Sequence, residues 1–123
     1  MRENQDMFTV TGGSHACARF SNAGELIEIQ EDIGRHNAMD KLIGSMLMLD
    51  TDLVKDEYVV VSGRASFELV FKSIKAGFPI MISVGAPSSL AIDLANEHGL
   101  TLCSFARFDK MTIYSGMRRI LKF

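Results

Sequence analysis

The sequence predicts an α/β fold, a three-layer α/β/α sandwich around a mixed β-sheet. Strand, helix, strand, helix and strand follow one another over residues 58–105, an order that pairs strands in parallel through right-handed crossovers. A hairpin over residues 16–30 adds antiparallel strands. The runs 58–61 and 80–84 are apolar at almost every position, as expected for strands covered by helices on both faces. With 123 residues and an apolar fraction of 47%, residues 1–123 form a single domain.

The hairpin joins two short apolar segments, 16–20 and 25–30, through Ser21-Asn22-Ala23-Gly24. Asn and Gly between such segments are typical of a tight turn. A glycine-rich turn, Thr11–His15, precedes the hairpin, and residues 1–8 form a short helix or a loose arm. The second segment alternates through Leu26 and Glu28 and keeps Ile27 and Ile29 together on one face.

A helix is predicted over residues 35–49, because apolar side chains recur there at helical spacing. Asp32 lies near its start, where a carboxylate meets free N–H groups and the positive end of the helix dipole. The segment Asp50–Asp56 is predicted to be a polar loop. The apolar positions of the helix are Met39, Leu42, Ile43 and Met46.

Two strand–helix units follow. The first has a strand over 58–62 and a helix ended by Gly77 and Pro79. The second has a strand over 79–84 and a helix that begins near Ser88 and ends at Gly99. The residues predicted to point inward are Phe67, Val70, Phe71 and Ile74 in the first helix and Leu90, Leu94 and Ala95 in the second.

Two more strands are predicted over 100–105 and 111–114, and a short basic helix closes the chain. Residues 107–123 contain five basic side chains and one acidic one, whereas the rest of the chain is acidic. A basic end on an acidic body favours a local anion site over a nucleic-acid surface. A solvated terminal helix is the alternative.

The composition also excludes other classes. No apolar run approaches the roughly 18 residues of a membrane span, and the polar start has no targeting pattern, so we expect a cytoplasmic protein without membrane contact. Cys17 and Cys103 lie in apolar runs and are expected to be reduced, buried thiols. His15 could lower the Cys17 pKa from two residues away, but a core thiol is the preferred interpretation.

No zinc site is predicted, since the sequence lacks Cys-x-x-Cys, His-x-x-x-His and His-x-Glu. In open α/β sheets, ligands bind beyond the carboxyl ends of the strands. Residues 34–37, 62–66 and 85–89 each place small or hydrogen-bonding groups at a predicted helix N-terminus, where N–H groups favour anions. We expect these junctions to form one pocket, lined by His15, Arg35, His36, Arg64 and Ser66.

Several segments resemble the FdhD family, the formate dehydrogenase accessory sulfurtransferases. The resemblance runs from about residue 8 to the end, the motifs occur in family order, and the Gly-Arg-His-Asn-Ala stretch is the most specific. The segments are Thr11–His15, Asp32–Lys41, Ser62–Leu69, Gly85–Ala91, and Phe105–Arg107 with Tyr114.

The resemblance implies a cytidine-deaminase-like fold without the deaminase zinc ligands. It also implies that persulfide sulfur passes from a cysteine desulfurase to the molybdenum (or tungsten) bis-molybdopterin guanine dinucleotide cofactor before that cofactor enters formate dehydrogenase. The cofactor is then a substrate, not a resident group. The implied partners are the desulfurase and formate dehydrogenase, and a homodimer is left open. A non-catalytic guanine-nucleotide-binding module of the same fold is the alternative.

The chain departs from the family in one respect. The family's persulfide cysteine belongs to a Cys-x-x-Cys loop that precedes the Thr-Gly-Gly motif, and Cys17 and Cys103 lie outside that motif. We therefore expect a C-terminal domain, either a truncated form or one product of a split gene. On this expectation the chain binds cofactor but has no sulfurtransferase activity alone.

By resemblance, the segment after the last parallel strand contacts the cofactor. An aromatic ring there stacks on the guanine base, while Arg107 and Lys110 meet phosphates, the arginine through a bidentate fork. The carboxylate of Asp109 accepts hydrogen bonds from guanine N1 and N2. The alternative is a surface turn with Phe105 in the core. The predicted contact residues are Phe105, Ala106, Arg107, Phe108, Asp109 and Lys110.

Overall fold

A computed structural model describes residues 15–46, 56–107 and 109–117. Within these ranges, six strands and three helices alternate as an α/β fold, as predicted. In chain order they are β1 (His15–Ser21), β2 (Leu26–Asp32), α1 (Arg35–Met46), β3 (Glu57–Val61), α2 (Phe67–Ala76), β4 (Ile80–Ser83), α3 (Ser89–His98), β5 (Thr101–Ser104) and β6 (Thr112–Ser115).

The strands form one sheet in the order β2-β1-β3-β4-β5-β6. Strands β3, β4 and β5 are parallel neighbours, whereas β1 pairs antiparallel with both β2 and β3, and β6 pairs antiparallel with β5. The predicted mixed sheet is therefore confirmed. The hairpin turns at Gly24, whose φ of 87° is a conformation that glycine adopts at little cost. The register of the β1–β2 pair shifts between Arg19 and Phe20.

The described helices all contribute to one core cluster on one face of the sheet, so the described residues show one of the two helical layers of the predicted α/β/α sandwich. The order β3, β4, β5 advances in one direction, so right-handed crossovers place α2 and α3 on the same side. Helix α1 adds Met39 and Leu42 to that cluster. The opposite face has its own buried cluster: Ala18, Phe20, Val60, Ile82, Cys103 and Ala106. The helices predicted at residues 1–8 and at the C-terminus lie outside the described residues, as do residues 47–55.

Three inward positions were predicted wrongly. Phe67, Phe71 and Leu90 are 42%, 44% and 63% exposed. In α2 the buried stripe is Leu69, Val70 and Ser73, and in α3 it is Ala91, Leu94 and Ala95. The apolar stripe that is regular in sequence does not coincide with the buried face of either helix, and in α2 the buried face includes Ser73, so the rotation of each helix on the sheet is set by packing that the sequence pattern does not contain.

The ends of α2 and α3 are fixed by serine caps and terminal glycines, of which Ser88, Gly77 and Gly99 were predicted and Ser66 was not. The Ser66 and Ser88 hydroxyls accept hydrogen bonds from the backbone N–H groups of Leu69 and Ala91. Glycines in the left-handed conformation, Gly77 and Gly99, end the two helices. Because α2 follows β3 and α3 follows β4, the N-termini of both helices lie at the carboxyl ends of the parallel strands. Within the described part of the chain, no helix is long and apolar enough to cross a membrane.

Candidate functional site

The loops that follow β3, β4 and β5 meet at one edge of the sheet, here called the carboxyl edge (residues 62–66, 84–88, 105–107 and 109–111). Backbone hydrogen bonds continue past the strands and join these loops. Gly85 N–H donates to Gly63 O at 2.9 Å, and Phe105 N–H donates to Gly85 O at 3.3 Å. The carboxyl edge is thus a connected surface and not three separate turns.

A second set of bonds joins the two helix N-termini. Ala65 N–H donates to Ala86 O at 3.1 Å, and Ser88 N–H donates to Ala65 O at 3.1 Å. Ala65 and Pro87 also form a parallel bridge. The first turns of α2 and α3 are held side by side, so the positive ends of the two helix dipoles occupy one region, which suits an anion.

The two loops approach so closely because Gly85 has no side chain. A Cβ at this position would lie 3.0 Å from Gly63 C and O and 3.0 Å from Arg64 N. These are backbone atoms held by the hydrogen bonds above, so they cannot yield without disturbing the carboxyl edge.

Gly85→Ala is expected to lower the free energy of unfolding by about 1–3 kcal/mol, the usual cost of forcing an extra carbon into a packed site. Denaturant titration measures the change. The matched control is Gly44→Ala, since a Cβ at Gly44 meets nothing within 4 Å and that glycine lies in exposed helix. The control should gain about 0.5–1 kcal/mol from helix propensity. Equal effects of the two changes would contradict the close approach at Gly85.

His15 reaches the same edge because β1 runs antiparallel to β3. Its ring lies beside Gly63, where a Cβ would be 3.4 Å from His15 Nδ1. Ser62 closes this contact, since its Oγ accepts a hydrogen bond from Ala16 N at 2.9 Å. The structure therefore brings the predicted His15 and the loop of Arg64 together.

The other predicted pocket residues differ in what the structure says of them. Arg64 is exposed at the edge, and the Ser66 hydroxyl is engaged in capping α2. Arg35 and His36 form the first turn of α1, just after the end of β2, where Asp32 lies opposite His15 in the strand register. The side chains of Arg35 and His36 lie outside what is described. The backbone thus places all five positions at one edge, and the pocket itself stays a prediction.

Asp32 already supplies an anion at the start of α1. Its Oδ2 pairs with Lys41 Nζ at 2.7 Å, and its Oδ1 accepts from Gly34 N at 3.1 Å and Asn37 Nδ2 at 3.4 Å. The Lys41 hydrogen bond, and next the Gly34 N–H, lower the pKa of Asp32 to about 2. With Asp32 at the start of α1 and Glu68 in the first turn of α2, the N-terminus of α3, whose first turn holds no acidic side chain, is the better candidate for an external anion.

The contacts of Asp32 should make the folded protein less stable as the pH falls through the acidic range. Because the folded state lowers the Asp32 pKa from 3.8 to about 2, its contribution is present above 3.8 and is lost as the pH falls towards 2. The melting temperature of the wild type should fall more steeply than that of Asp32→Asn over this window. Parallel pH profiles of the two proteins would contradict the assignment.

The segment after β5 projects from the carboxyl edge. Phe105 has a φ of 55° and is 43% exposed, with its ring centroid 6.4 Å from that of Tyr114. The alternative interpretation is therefore wrong in placing Phe105 in the core, although the segment does form a surface turn between β5 and β6. Arg107 N–H donates to Lys110 O at 2.8 Å and closes a turn, on which Arg107, Asp109 and Lys110 are exposed.

Two predicted contact residues of this segment have a different outcome. The side chain of Ala106 is buried in the cluster on the sheet face opposite the helices, so it is not available to a ligand. Its N–H donates to Ser83 O at 3.0 Å, which anchors the segment. Phe108 lies outside the described residues.

Both cysteines are buried, as predicted. Cys17 contacts Met39 Sδ at 3.8 Å, and burial, with the Glu28 charge as a second cause, raises its pKa well above the ordinary value. Burial raises the pKa of Cys103 to about 11. The proximity of His15 in the sequence therefore does not activate Cys17, and neither thiol has the thiolate character that a sulfur carrier needs.

The two thiols are expected to resist modification in the native protein. A pKa of about 11 for Cys103, against an ordinary 9.0, reduces its thiolate fraction about a hundredfold near neutral pH. Reaction with a disulfide reagent should be at least that much slower than in guanidinium chloride, where both thiols react. Fast reaction of either thiol in the folded protein would contradict the burial.

Other features of the described residues do not point to a site. Residues 15–46, 56–107 and 109–117 hold no group of three His, Cys, Asp or Glu side chains placed to bind a metal ion. An open depression lies at the opposite edge of the sheet, near the C-termini of α2 and α3. It is lined by Ile74, Gly77, Phe78, Pro79, His98, Gly99 and Leu100.

Sequence reasoning missed a buried pair of hydroxyl groups beneath the carboxyl edge. Ser83 Oγ and Ser104 Oγ lie 2.7 Å apart, and Ser83 Oγ also donates to Gly85 O at 3.0 Å. Each serine is the last residue of a parallel strand, and the β4–β5 register places them side by side. The available signal was a serine one residue before the end of each predicted strand, 79–84 and 100–105, next to a candidate ligand segment.

Known sequences show which proteins this chain is similar to. The model of the FdhD/NarQ family matches residues 1–121. The sulfur carrier protein FdhD of Streptomyces avermitilis is 51% identical over 120 residues, which cover 98% of this chain and 43% of that protein. The sulfur carrier protein FdhD of Sulfurisphaera tokodaii is 48% identical over 122 residues, which cover 98% of this chain and 48% of that protein.

A solved structure is similar as well. The crystal structure of a formate dehydrogenase accessory protein from Desulfotalea psychrophila superposes with a TM-score of 0.79 at 34% identity. The match covers 87% of this chain and 47% of that one. The chain therefore spans less than half the length of each of these three proteins.

Proposed function

The chain belongs to the FdhD/NarQ family, and from this premise we propose that its carboxyl edge binds the guanine dinucleotide portion of the molybdenum bis-molybdopterin guanine dinucleotide cofactor during maturation of formate dehydrogenase. The cofactor is a substrate of the protein. The relatives named sulfur carrier protein and formate dehydrogenase accessory protein support this context.

The observation that carries the proposal is the exposed ring of Phe105 above a turn that presents Arg107 and Lys110. A guanine nucleotide offers a flat base for stacking and phosphates for charge-assisted hydrogen bonds. The joined N-termini of α2 and α3 add backbone N–H donors at the same edge.

Within this proposal, the complete protein carries persulfide sulfur from a cysteine desulfurase to the bound cofactor in the cytoplasm. We assign the sulfur-carrying role to neither Cys17 nor Cys103, since both are buried and have raised pKa values. A cytidine-deaminase-like fold is part of the same proposal, because a mixed sheet with helices after β3 and β4 suits a nucleotide-shaped ligand at its carboxyl edge.

Calorimetry with GDP and ADP tests the binding function. We expect GDP to bind at least about tenfold more tightly, because a site that accepts hydrogen bonds from guanine N1 and N2 leaves groups unpaired with adenine. Equal affinity for the two nucleotides, or no binding of either, would overturn the proposal. Incubation of the chain with a desulfurase and labelled cysteine is expected to leave no label on Cys17 or Cys103.

A further inference from the structure

We infer that Ser83 and Ser104 are positioning residues, which hold the Phe105 segment in its ligand-ready conformation through the carbonyl of Gly85. This inference rests on the proposed binding of a guanine nucleotide at the carboxyl edge. Neither serine reaches the surface, since both side chains are fully buried, so they act only through the residues they contact.

The direction of the hydrogen bond between the two hydroxyls follows from the Gly85 carbonyl, which can only accept. Ser83 Oγ donates its one proton to Gly85 O at 3.0 Å. Ser104 must therefore be the donor in the 2.7 Å contact between the two hydroxyl oxygens. The result is a chain of donors that runs from Ser104 to Ser83 and ends on the Gly85 carbonyl.

The Gly85 carbonyl is where this chain of donors meets the ligand segment. It also accepts the N–H of Phe105, at a long 3.3 Å. A carbonyl oxygen has two lone pairs, so the Gly85 oxygen can accept from the Phe105 N–H with one and from the Ser83 hydroxyl with the other. The hydrogen bond from Ser83 thereby fixes the orientation of the Gly85 carbonyl. Without the hydroxyls, the long Phe105 bond is left to hold the carbonyl alone.

Phe105 needs such support because its backbone conformation is unfavourable. It is the one non-glycine residue with a positive φ among the described residues, and a side chain with a Cβ disfavours that region. Strained residues persist where surrounding contacts determine them, and they cluster at ligand sites. The left-handed turn directs the chain from β5 into the exposed Phe105 ring and the Arg107 turn, so its loss would move both.

The experiment compares Ser104→Ala and Ser83→Ala with Ser73→Ala, a matched control. Ser73 is equally buried and its hydroxyl donates to a backbone carbonyl, Leu69 O at 2.9 Å, but it lies inside α2 and away from the carboxyl edge. We expect the first two changes to weaken GDP binding about three- to tenfold and the control to leave it unchanged. All three should lower the melting temperature.

A double-mutant cycle separates positioning from general destabilisation. If Ser104 acts through the Phe105 ring, Ser104→Ala should change GDP affinity little in a Phe105→Ala background, whereas its effect on melting temperature should persist. An undiminished loss of affinity in that background would overturn the inference, and so would an equal loss in Ser73→Ala.

Amide hydrogen exchange in the ligand-free chain distinguishes this inference from the proposed function. Exchange at Phe105 and Ala106 should quicken in Ser83→Ala and Ser104→Ala relative to Ser73→Ala. If the wild type binds no guanine nucleotide, the proposed function fails and this exchange alone decides whether the serines hold the segment. Unchanged exchange at both amides would overturn the inference even where GDP binds.

Discussion

Arg19→Leu is expected to lower the free energy of unfolding by about 3–5 kcal/mol, because it removes one partner of a buried ion pair. Arg19 Nη1 pairs with Glu57 Oε1 at 2.8 Å between side chains that are 9% and 7% exposed. Removing the guanidinium leaves the Glu57 carboxylate buried without its cation, and an uncompensated buried charge is costly.

The carboxylate of Glu28, which also lies near Arg19, should lose less stabilisation than Glu57 in Arg19→Leu. Glu28 Oε1 lies 3.4 Å from Arg19 Nε, but Glu28 also accepts hydrogen bonds from Ser45 and Gln30. Although burial opposes it, these two hydrogen bonds, with the Arg19 charge, hold the pKa of Glu28 below its ordinary value. The expected loss therefore comes chiefly from Glu57.

Denaturant titration measures this effect, and two further variants show its origin. Arg64→Leu, at an exposed arginine, should change the free energy of unfolding by less than about 0.5 kcal/mol. Arg19→Leu combined with Glu57→Leu should recover much of the loss, because apolar replacement of a whole buried pair is often neutral. A loss below about 1 kcal/mol in Arg19→Leu would show that the pair contributes little.

The fold could be predicted because its signals are local. Ser88 before an apolar helix, and Gly77 and Gly99 after two of them, determine helix ends within a few residues of chain, and the structure confirms all three; the cap at Ser66 was not predicted. The inward faces could not be predicted as well. Phe67 and Leu90 belong to regular apolar stripes, whereas the buried face of α2 includes Ser73, because the packing of the helix on the sheet beneath decides which face is buried.

The carboxyl edge was predictable for a different reason. Parallel strands end at the same edge, so strand order alone brings the loops together, whatever the details. The contact of Gly85 with Gly63 and the pairing of Ser83 with Ser104 depend on register between strands far apart in sequence. The left-handed φ of Phe105 is likewise a tertiary result, since a phenylalanine in sequence predicts extended chain.

Arg107→Ala is expected to weaken GDP binding about ten- to a hundredfold, as for the loss of one charge-assisted contact with phosphate, about 1.5–3 kcal/mol. Arg107 is exposed on the turn closed by its own N–H, two residues from the Phe105 ring. The turn is held by backbone bonds, so the variant should keep the wild-type melting temperature.

Arg107→Lys is the informative companion, because it keeps the charge and removes the planar fork. If the arginine makes a bidentate contact with phosphate, the lysine variant should recover only part of the lost affinity. If it acts as a point charge, the lysine should restore most of it, and the loss in Arg107→Ala should fade at high salt. Calorimetry at low and high salt separates these cases. Unchanged affinity in Arg107→Ala would remove Arg107 from the site and leave the exposed Phe105 ring and the N-termini of α2 and α3 as the ligand contacts of the carboxyl edge.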